Sequence, residues 1–424
     1  MLMRPFLISC CSVLALGLGP TLIYADWPQF RGPTQQGEAP TEAKLPLTWS
    51  ATEHVIWKTA IPGLGWSSPV IQSGKVYLTT AVSANGKNDD APTVDRSLRA
   101  LCLDAGSGQI LWNNEIFLQK GTDANRIHKK NSHASPTPVV HDARIFVHYG
   151  PHGTACLNLN GSTAWKVDSI SYTPVHGNGG SPIVVGDKLI FSCDGPPEPF
   201  VIALDVASGK QVWKTPRNTA ATRKFSFCTP LLIGEGSSQE LILPGSGNIF
   251  SYDPATGSER WRCGWGEGYS VVPRPVFGHG LLFASSGYDQ PVLYAVRPGG
   301  RGDVTNSHVV WTAKKGVPRN ASFVLAGGHL FTVDDKGIGT CYQAPTGEVM
   351  WQERICSDTS ASLLHHAGKI YALDEQGTCT VFAAGPEYKV LATNSLGERS
   401  LASMAVADDD FLIRTEHHLY RIGG

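Results

Sequence analysis

The feature that most constrains this chain is a turn pattern that recurs along it: Asp, three residues, Gly, three residues, Trp. Asp205, Gly209 and Trp213 define it, and Asp104, Gly108 and Trp112 repeat it, as do Asp253, Gly257 and Trp261. Gln343, Gly347 and Trp351 form a copy with the Asp replaced. Asn158, Gly161 and Trp165 form one with a shorter turn, and Trp311 ends a copy whose turn has grown into Pro298 to Ser307. Each part has a job in a β-hairpin. Asp bonds nearby backbone to start the turn, and Gly accepts the positive φ that closes it. Trp then opens the next strand. Burying such a ring removes about 150–250 Å² from water, so one Trp per repeat is the expected glue between neighbours. Repeats of about 40–50 residues, too small to bury their own faces, predict four-stranded propeller blades.

A second count comes from the strand that begins each repeat. Ser68-Pro69-Val70, Thr137-Pro138-Val139, Ser181-Pro182-Ile183 and Thr229-Pro230-Leu231 share one pattern. Arg274-Pro275-Val276, Ser322-Phe323-Val324, Ser362-Leu363-Leu364 and Ser403-Met404-Ala405 continue it, giving eight inner strands. The last repeat reads as three strands before the sequence ends, and the strand at Trp57 has no hairpin before it. The expected fold is therefore all-β: an eight-bladed β-propeller of four-stranded antiparallel blades, closed by pairing the N-terminal Trp strand with the C-terminal strands. The organisation read from this is residues 1–25 as an export signal, 26–54 as an N-terminal strap anchored by Trp27 and Phe30, and 55–424 as the propeller.

Composition narrows the function. Charged residues make up 17% and the net charge is −1, which gives no field for nucleic acid or anionic lipid. Residues 1–25 combine Arg4, an apolar run from Phe6 to Leu18 and a small residue at Ala25, the pattern of a cleaved signal, so export to the periplasm or cell envelope is expected. Gly19-Pro20 breaks that run, so no transmembrane segment should remain after cleavage. Cys10 sits too early for a lipid anchor. Cys102, Cys156, Cys341 and Cys379 are read as one repeat slot, two residues before the Asp position, where other blades place Ala203 and Ser251. Such a slot wants a small buried side chain, and no disulfide is expected among those four. The polar insertions Ala84 to Arg96 and Gln119 to Asn131 are the loops that could gather on a binding face.

These repeats resemble the pyrroloquinoline-quinone-like (PQQ-like) β-propeller family, most strongly at Ala203 to Trp213 and at Asp253-Pro254-Ala255-Thr256-Gly257. Asp26 to Pro33, Gly268 to Pro275 and Leu396-Gly397-Glu398-Arg399 are similar to a bacterial exported subfamily of such propellers. The resemblance implies the eight-bladed fold and has two functional branches. Quinoprotein alcohol dehydrogenases hold the quinone between a Trp and a ring of adjacent disulfide-bonded cysteines, with calcium ligands and an Asp base. Outside the leader this chain has no adjacent cysteines and no Cys-x-x-Cys-His, and no calcium motif can be matched. The other branch, the outer-membrane barrel-assembly factor BamB, is a cofactor-free scaffold, which this chain resembles in size, blade count and export.

Propeller ligands meet the loops around the central channel. The candidate site residues are Trp66, His133, His176, Asn178, Tyr269, Arg274, Arg319, Glu398 and Arg399, with Asn320 beside them. Arg274 stands where other blades carry Ser or Thr. Either Arg274, Arg319 and Arg399 converge on a carboxylate, phosphate or acidic peptide, with Trp66 and Tyr269 stacking beside it, or they line a water-filled channel whose charges pair with each other. Arg274→Ala leaves the melting temperature nearly unchanged if the channel is wet, and a large loss of stability means a structural ion pair. Histidines from His128 to His176 show no metal-ligand spacing. Glu267, Glu398, Asp194 and Asp289 lie near turns and could form a carboxylate pair. No catalytic residue, metal or cofactor is assigned. The expected role is an exported, non-enzymatic, monomeric scaffold binding an envelope protein or a small anionic ligand. The alternative is a periplasmic enzyme, either a divergent PQQ-dependent oxidoreductase or a carbohydrate-active propeller.

Overall fold

The computed structural model describes residues 26–86, 94–123 and 127–424. The expected export signal, Cys10 and the middle of both polar insertions lie outside these residues. Among those described, the strands form eight antiparallel four-stranded sheets, one per repeat, with one α-helical turn at Thr305–His308 and three 3-10 turns at Gly121–Asp123, Gly150–His152 and Gly236–Ser238. The third blade is typical: Ile183–Val185, Lys188–Cys193, Phe200–Asp205 and Gln211–Pro216 run from the channel outward. The inner strands are only three residues long, as they must be where eight blades crowd an axis. The eighth blade pairs Ala405–Ala407, Asp410–Arg414 and His418–Ile422 with Val55–Ala60 from the other end of the chain. The ring closes as expected, and no blade is left one strand short.

The repeated Trp joins blade to blade by two contacts. Its indole N–H donates to the turn of the next blade: Trp57 to the Ala105 carbonyl at 2.8 Å, Trp165 to Val206 at 3.0 Å and Trp213 to Pro254 at 3.2 Å. At Trp57, Trp112, Trp165, Trp213 and Trp311 the ring also lies on the Gly that closes that turn, whereas Trp351 donates to the Gly385 carbonyl without this ring contact. At Gly257, with φ 73°, a methyl would sit 2.5 Å from the Trp213 ring. The Gly is thus required twice, for the left-handed turn and for the close approach of the indole. Trp261 departs from this because the next turn has grown. Its N–H turns to the Glu240 carboxylate, and Gly302–Asp303 of the enlarged turn adds a short parallel strand to the fourth blade.

The slot opposite Trp is filled as expected by Cys102, Cys156, Ala203, Ser251 and Cys341. Cys379 is a correction. The seventh blade has no Trp, and its register sets Val381 against Ala392, with Cys379 two residues earlier opposite Asn394. All eight cysteines of the described residues are free thiols, seven of them buried.

The inner strands are laced together around the axis by hydroxyls. The Ser68 amide donates to Thr137 Oγ1 at 3.0 Å, Thr137 to Ser181 Oγ at 2.9 Å, and Ser181 to Thr229 Oγ1 at 3.0 Å. The belt resumes from Arg274 to Ser322, Ser322 to Ser362 and Ser362 to Ser403, at 2.9–3.1 Å. This explains the recurring Ser or Thr: a short side chain whose oxygen satisfies the unpaired N–H of the preceding blade's inner strand.

Residues 26–39 run across the far ends of these strands, and residues 44–50 pass outward along the last two blades, where Trp49 donates to Asn394 and Ser50 pairs with Ser395. Trp27 pairs with Ile71, the Pro28 carbonyl accepts from Val140, and Gln35 and Gln36 accept from Leu232 and Phe277. Buried Arg31 donates to the carbonyls of Gln36, Leu363 and Phe323. Trp27 is 1% exposed and anchors the segment as expected.

Candidate functional site

The residues leading into the inner strands surround a central cavity of about 850 Å³. Phe30 of the N-terminal segment and the hydroxyl belt line it on one side, and Trp66, His128, Lys129, Arg223, Tyr269, Tyr288 and Arg319 line it toward the mouth. The segment across the strand ends therefore turns the channel into a cup. Its volume falls in the range of small-molecule sites.

One wall is a continuous arc of rings. His128 packs on His176, His176 on Phe225, Phe225 on Tyr269 and Tyr269 on Tyr288, with centroids 5.4–6.0 Å apart in edge-to-face pairs. Guanidiniums sit over three faces: Arg223 over Tyr269 at 4.6 Å, Arg319 over Tyr288 at 5.1 Å and Arg399 over Trp66 at 5.3 Å. His176, Ser270 and Asp289 hold positive φ of 72°, 53° and 74°. Non-Gly residues rarely adopt that conformation, at about 1–3 kcal/mol each, and such strain gathers where loops are held for binding.

Of the residues singled out by sequence, Trp66, His176, Tyr269, Arg319 and Asn320 line this cavity, and Arg399 backs it through Trp66. His133 and Asn178 instead face a separate chamber of about 20 Å³ between the first three blades, with Gln119, Tyr149 and His152. Gln119 Oε1 and Asn178 Nδ2 have no protein partner there, and the chamber suits a water rather than a ligand. Burial, with Arg96 and His152 nearby, pushes His133 down to about 3, so it is neutral at physiological pH. Glu398 is tied into the last hairpin by Thr415, the His417 amide and His418 Nδ1 at 2.7–2.8 Å. Burial opposes its ionisation, but those bonds outweigh it and hold its carboxyl below the usual range. Arg399 pairs with Glu416 at 3.7 Å and donates to the Lys129 carbonyl.

Arg274 is the main correction. It is fully buried and does not reach the cup. Its guanidinium donates to the Phe30 carbonyl and Gln35 Oε1, both at 2.7 Å, and to the Pro230 carbonyl, so it clamps the N-terminal segment to the propeller. Burial pushes it down to about 9, still charged at neutral pH. Arg31, next to Phe30 in the segment, works the same way on the following two blades, through the Phe323 and Leu363 carbonyls.

The four carboxylates considered as a pair are held apart by separate partners. Asp194 forms a buried ion pair with Arg217 at 2.6 Å, Glu267 binds Thr222, Glu398 binds His418, and Asp289 binds Tyr269 and Arg223. Among the described residues no three His, Cys, Asp or Glu side chains converge as a metal site would require. The cup's two carboxylates are engaged, Asp335 by the Arg319 and Asn320 N–H groups and Asp358 by Lys336. Neither carboxylate is without a protein partner. Sequence reasoning missed Lys129, Arg223, Phe225, Tyr288 and Asp335. Their shared signal is position, since most lie within about ten residues upstream of an inner strand.

The chain matches the PQQ_2 family model, described as outer membrane protein assembly factor BamB, over residues 49–231 and 300–417. No curated protein matches its sequence. Among solved structures it resembles BamB from Moraxella catarrhalis at TM-score 0.59 and 13% identity, covering 87% of this chain and 97% of that one. It also resembles the quinohemoprotein alcohol dehydrogenase from Comamonas testosteroni at TM-score 0.64 and 10% identity, covering 94% and 80%. A europium-containing methanol dehydrogenase aligns at TM-score 0.61 and 13% identity, covering 94% and 89%. Identities this low speak to the fold alone. The family match, spanning well over half of the sequence, goes further: the chain belongs to the PQQ_2 family of BamB-like repeat propellers.

Proposed function

We propose that this protein is an exported, non-enzymatic binding propeller of the cell envelope, with the central cup as its binding site. One observation carries the reading: a cup of about 850 Å³ with an aromatic, cation-bearing wall, closed across the strand ends by the protein's own N-terminal segment. The strained mouth residues support it. The family's assembly-factor member supplies the scaffold precedent, and the leader pattern of residues 1–25 supplies export. No helix among the described residues is long and apolar enough to cross a membrane.

The test is a titration of residues 26–424 with pyrroloquinoline quinone and calcium, followed by thermal shift and quinone absorbance. No stabilisation is expected at millimolar quinone. A saturable shift that requires calcium would overturn the proposal in favour of a quinoprotein oxidoreductase. A second arm screens small ligands by thermal shift on wild type and on Tyr269→Ala. A hit whose shift is lost in the variant supports the cup as the site.

A further inference from the structure

The chemistry of the cup narrows its ligand. Its charges nearly cancel: Lys130 pairs with Glu375 at 2.6 Å, Lys336 with Asp358 at 3.2 Å and Arg223 with Asp289 at 3.4 Å. Among the described residues, Lys129 and Arg319 are then left with Asp335, which already accepts the Arg319 amide and the Asn320 side chain. Among the described residues the balance is one positive charge. That suits a ligand with a single acid group, whereas a polyanion would meet Asp335 and Asp358.

The hydroxyl belt on the cup's other side is rich in hydrogen-bond donors. The hydroxyls of Thr137, Ser181, Thr229, Ser322, Ser362 and Ser403 each accept a neighbouring blade's N–H, and all line the cup. Each keeps its own hydrogen and a second lone pair. Trp66 Nε1 and Arg319 Nε are buried with no partner in the protein. A hydroxyl wall can donate to, or accept from, a ligand hydroxyl, whereas a peptide N–H can only donate. The arc of rings offers faces of negative potential, on which the C–H face of a sugar packs.

On the reading that the cup is the binding site, we propose that it takes the end of a saccharide bearing one acid group. The acid lies on Lys129 and Arg319, the rings lie against Tyr269 and Phe225, and the hydroxyls reach the Ser/Thr belt. The experiment is calorimetric titration of residues 26–424 with an aldobiouronic acid (one glucuronate on one xylose), with neutral xylobiose, with an acidic tripeptide and with inorganic phosphate. Saturable binding of the aldobiouronic acid is expected, about tenfold weaker or more for xylobiose and for Lys129→Gln, since one charged partner is lost. Lys129 is exposed, so this variant should keep the wild-type melting temperature. Equal binding of xylobiose would remove the acid subsite, and phosphate binding as tightly would reduce the site to a bare anion site. Tripeptide binding that Tyr269→Ala abolishes, with no saccharide binding, would overturn the saccharide class and leave the cup reading standing. Binding of none of the four probes would count against both.

Discussion

At the scale of single residues, Arg274 shows what sequence could and could not tell. Its oddity in a Ser/Thr slot was legible, because seven parallel positions set the expectation. Its role was not, because the partners at Phe30 and Gln35 lie more than 230 residues away. Arg274→Gln leaves the Phe30 and Pro230 carbonyls unpaired and Gln35 with only the Leu232 amide, at roughly 1–3 kcal/mol for each buried group left without a partner, so a loss of about 2 kcal/mol or more is expected. Urea unfolding checks this, and an unchanged midpoint would mean that water reaches the site after all. His148 gives a second prediction. Burial pushes it down to about 3 and it stays neutral against Thr154, while in the unfolded chain it takes a proton below about 6.5. Between those values the unfolded state binds more protons, so stability rises with pH: the contribution is complete above about 6.5 and is lost as pH falls toward 3. The slope is about 1.4 kcal/mol per pH unit. Denaturation of wild type and His148→Gln at pH 7 and pH 5 should show the wild type losing more, and equal losses would reject the assignment.

At the scale of the element, the turn and its Trp were the most legible part of the chain, because both act within about ten residues and repeat. Spacing alone placed the Gly and located the indole, and the structure added the partner it meets in the next blade. Where the Trp is missing, as in the seventh blade, the Cys379 register was misread for the same reason. The cup was legible only as a window of loop positions, since its wall draws on loops from most of the blades and no single stretch holds its pattern. Trp213 lies 8% exposed against Gly257 of the neighbouring turn. Trp213→Ala should cost about 3–5 kcal/mol through the cavity it leaves. Gly257→Ala keeps the indole but needs a residue at φ 73° with a methyl 2.5 Å from the ring. It should also destabilise, by about 1 kcal/mol or more. Chemical denaturation of the two variants separates lost packing from a blocked approach: a neutral Gly257→Ala would mean that the turn can shift outward without losing the contact.

For the whole molecule, the decisive element is the seam where the two ends of the sequence meet. The strand nearest the N-terminus, Val55–Ala60, is the outer strand of the last blade, and Trp57 reaches on to Ala105 of the first. Arg421 donates to the same Ala105 carbonyl, and buried Arg414 donates to Ser67 and Thr79 of the first blade. The seam is therefore bonded like any other blade junction and adds polar clasps of its own. An open array of repeats frays from an end when an end interface is weakened, because each unit contacts only its neighbours. A closed ring has no end from which to fray. Trp57→Ala should then cost about the same 3–5 kcal/mol as the variant at Trp213. It should also leave one transition, coincident by tryptophan fluorescence and by far-ultraviolet circular dichroism, because the ring still unfolds as a unit. If fluorescence instead fell before the circular dichroism signal, the terminal blade would be melting alone. The closure strand would then hold the last blade in place without making the eight blades one cooperative structure.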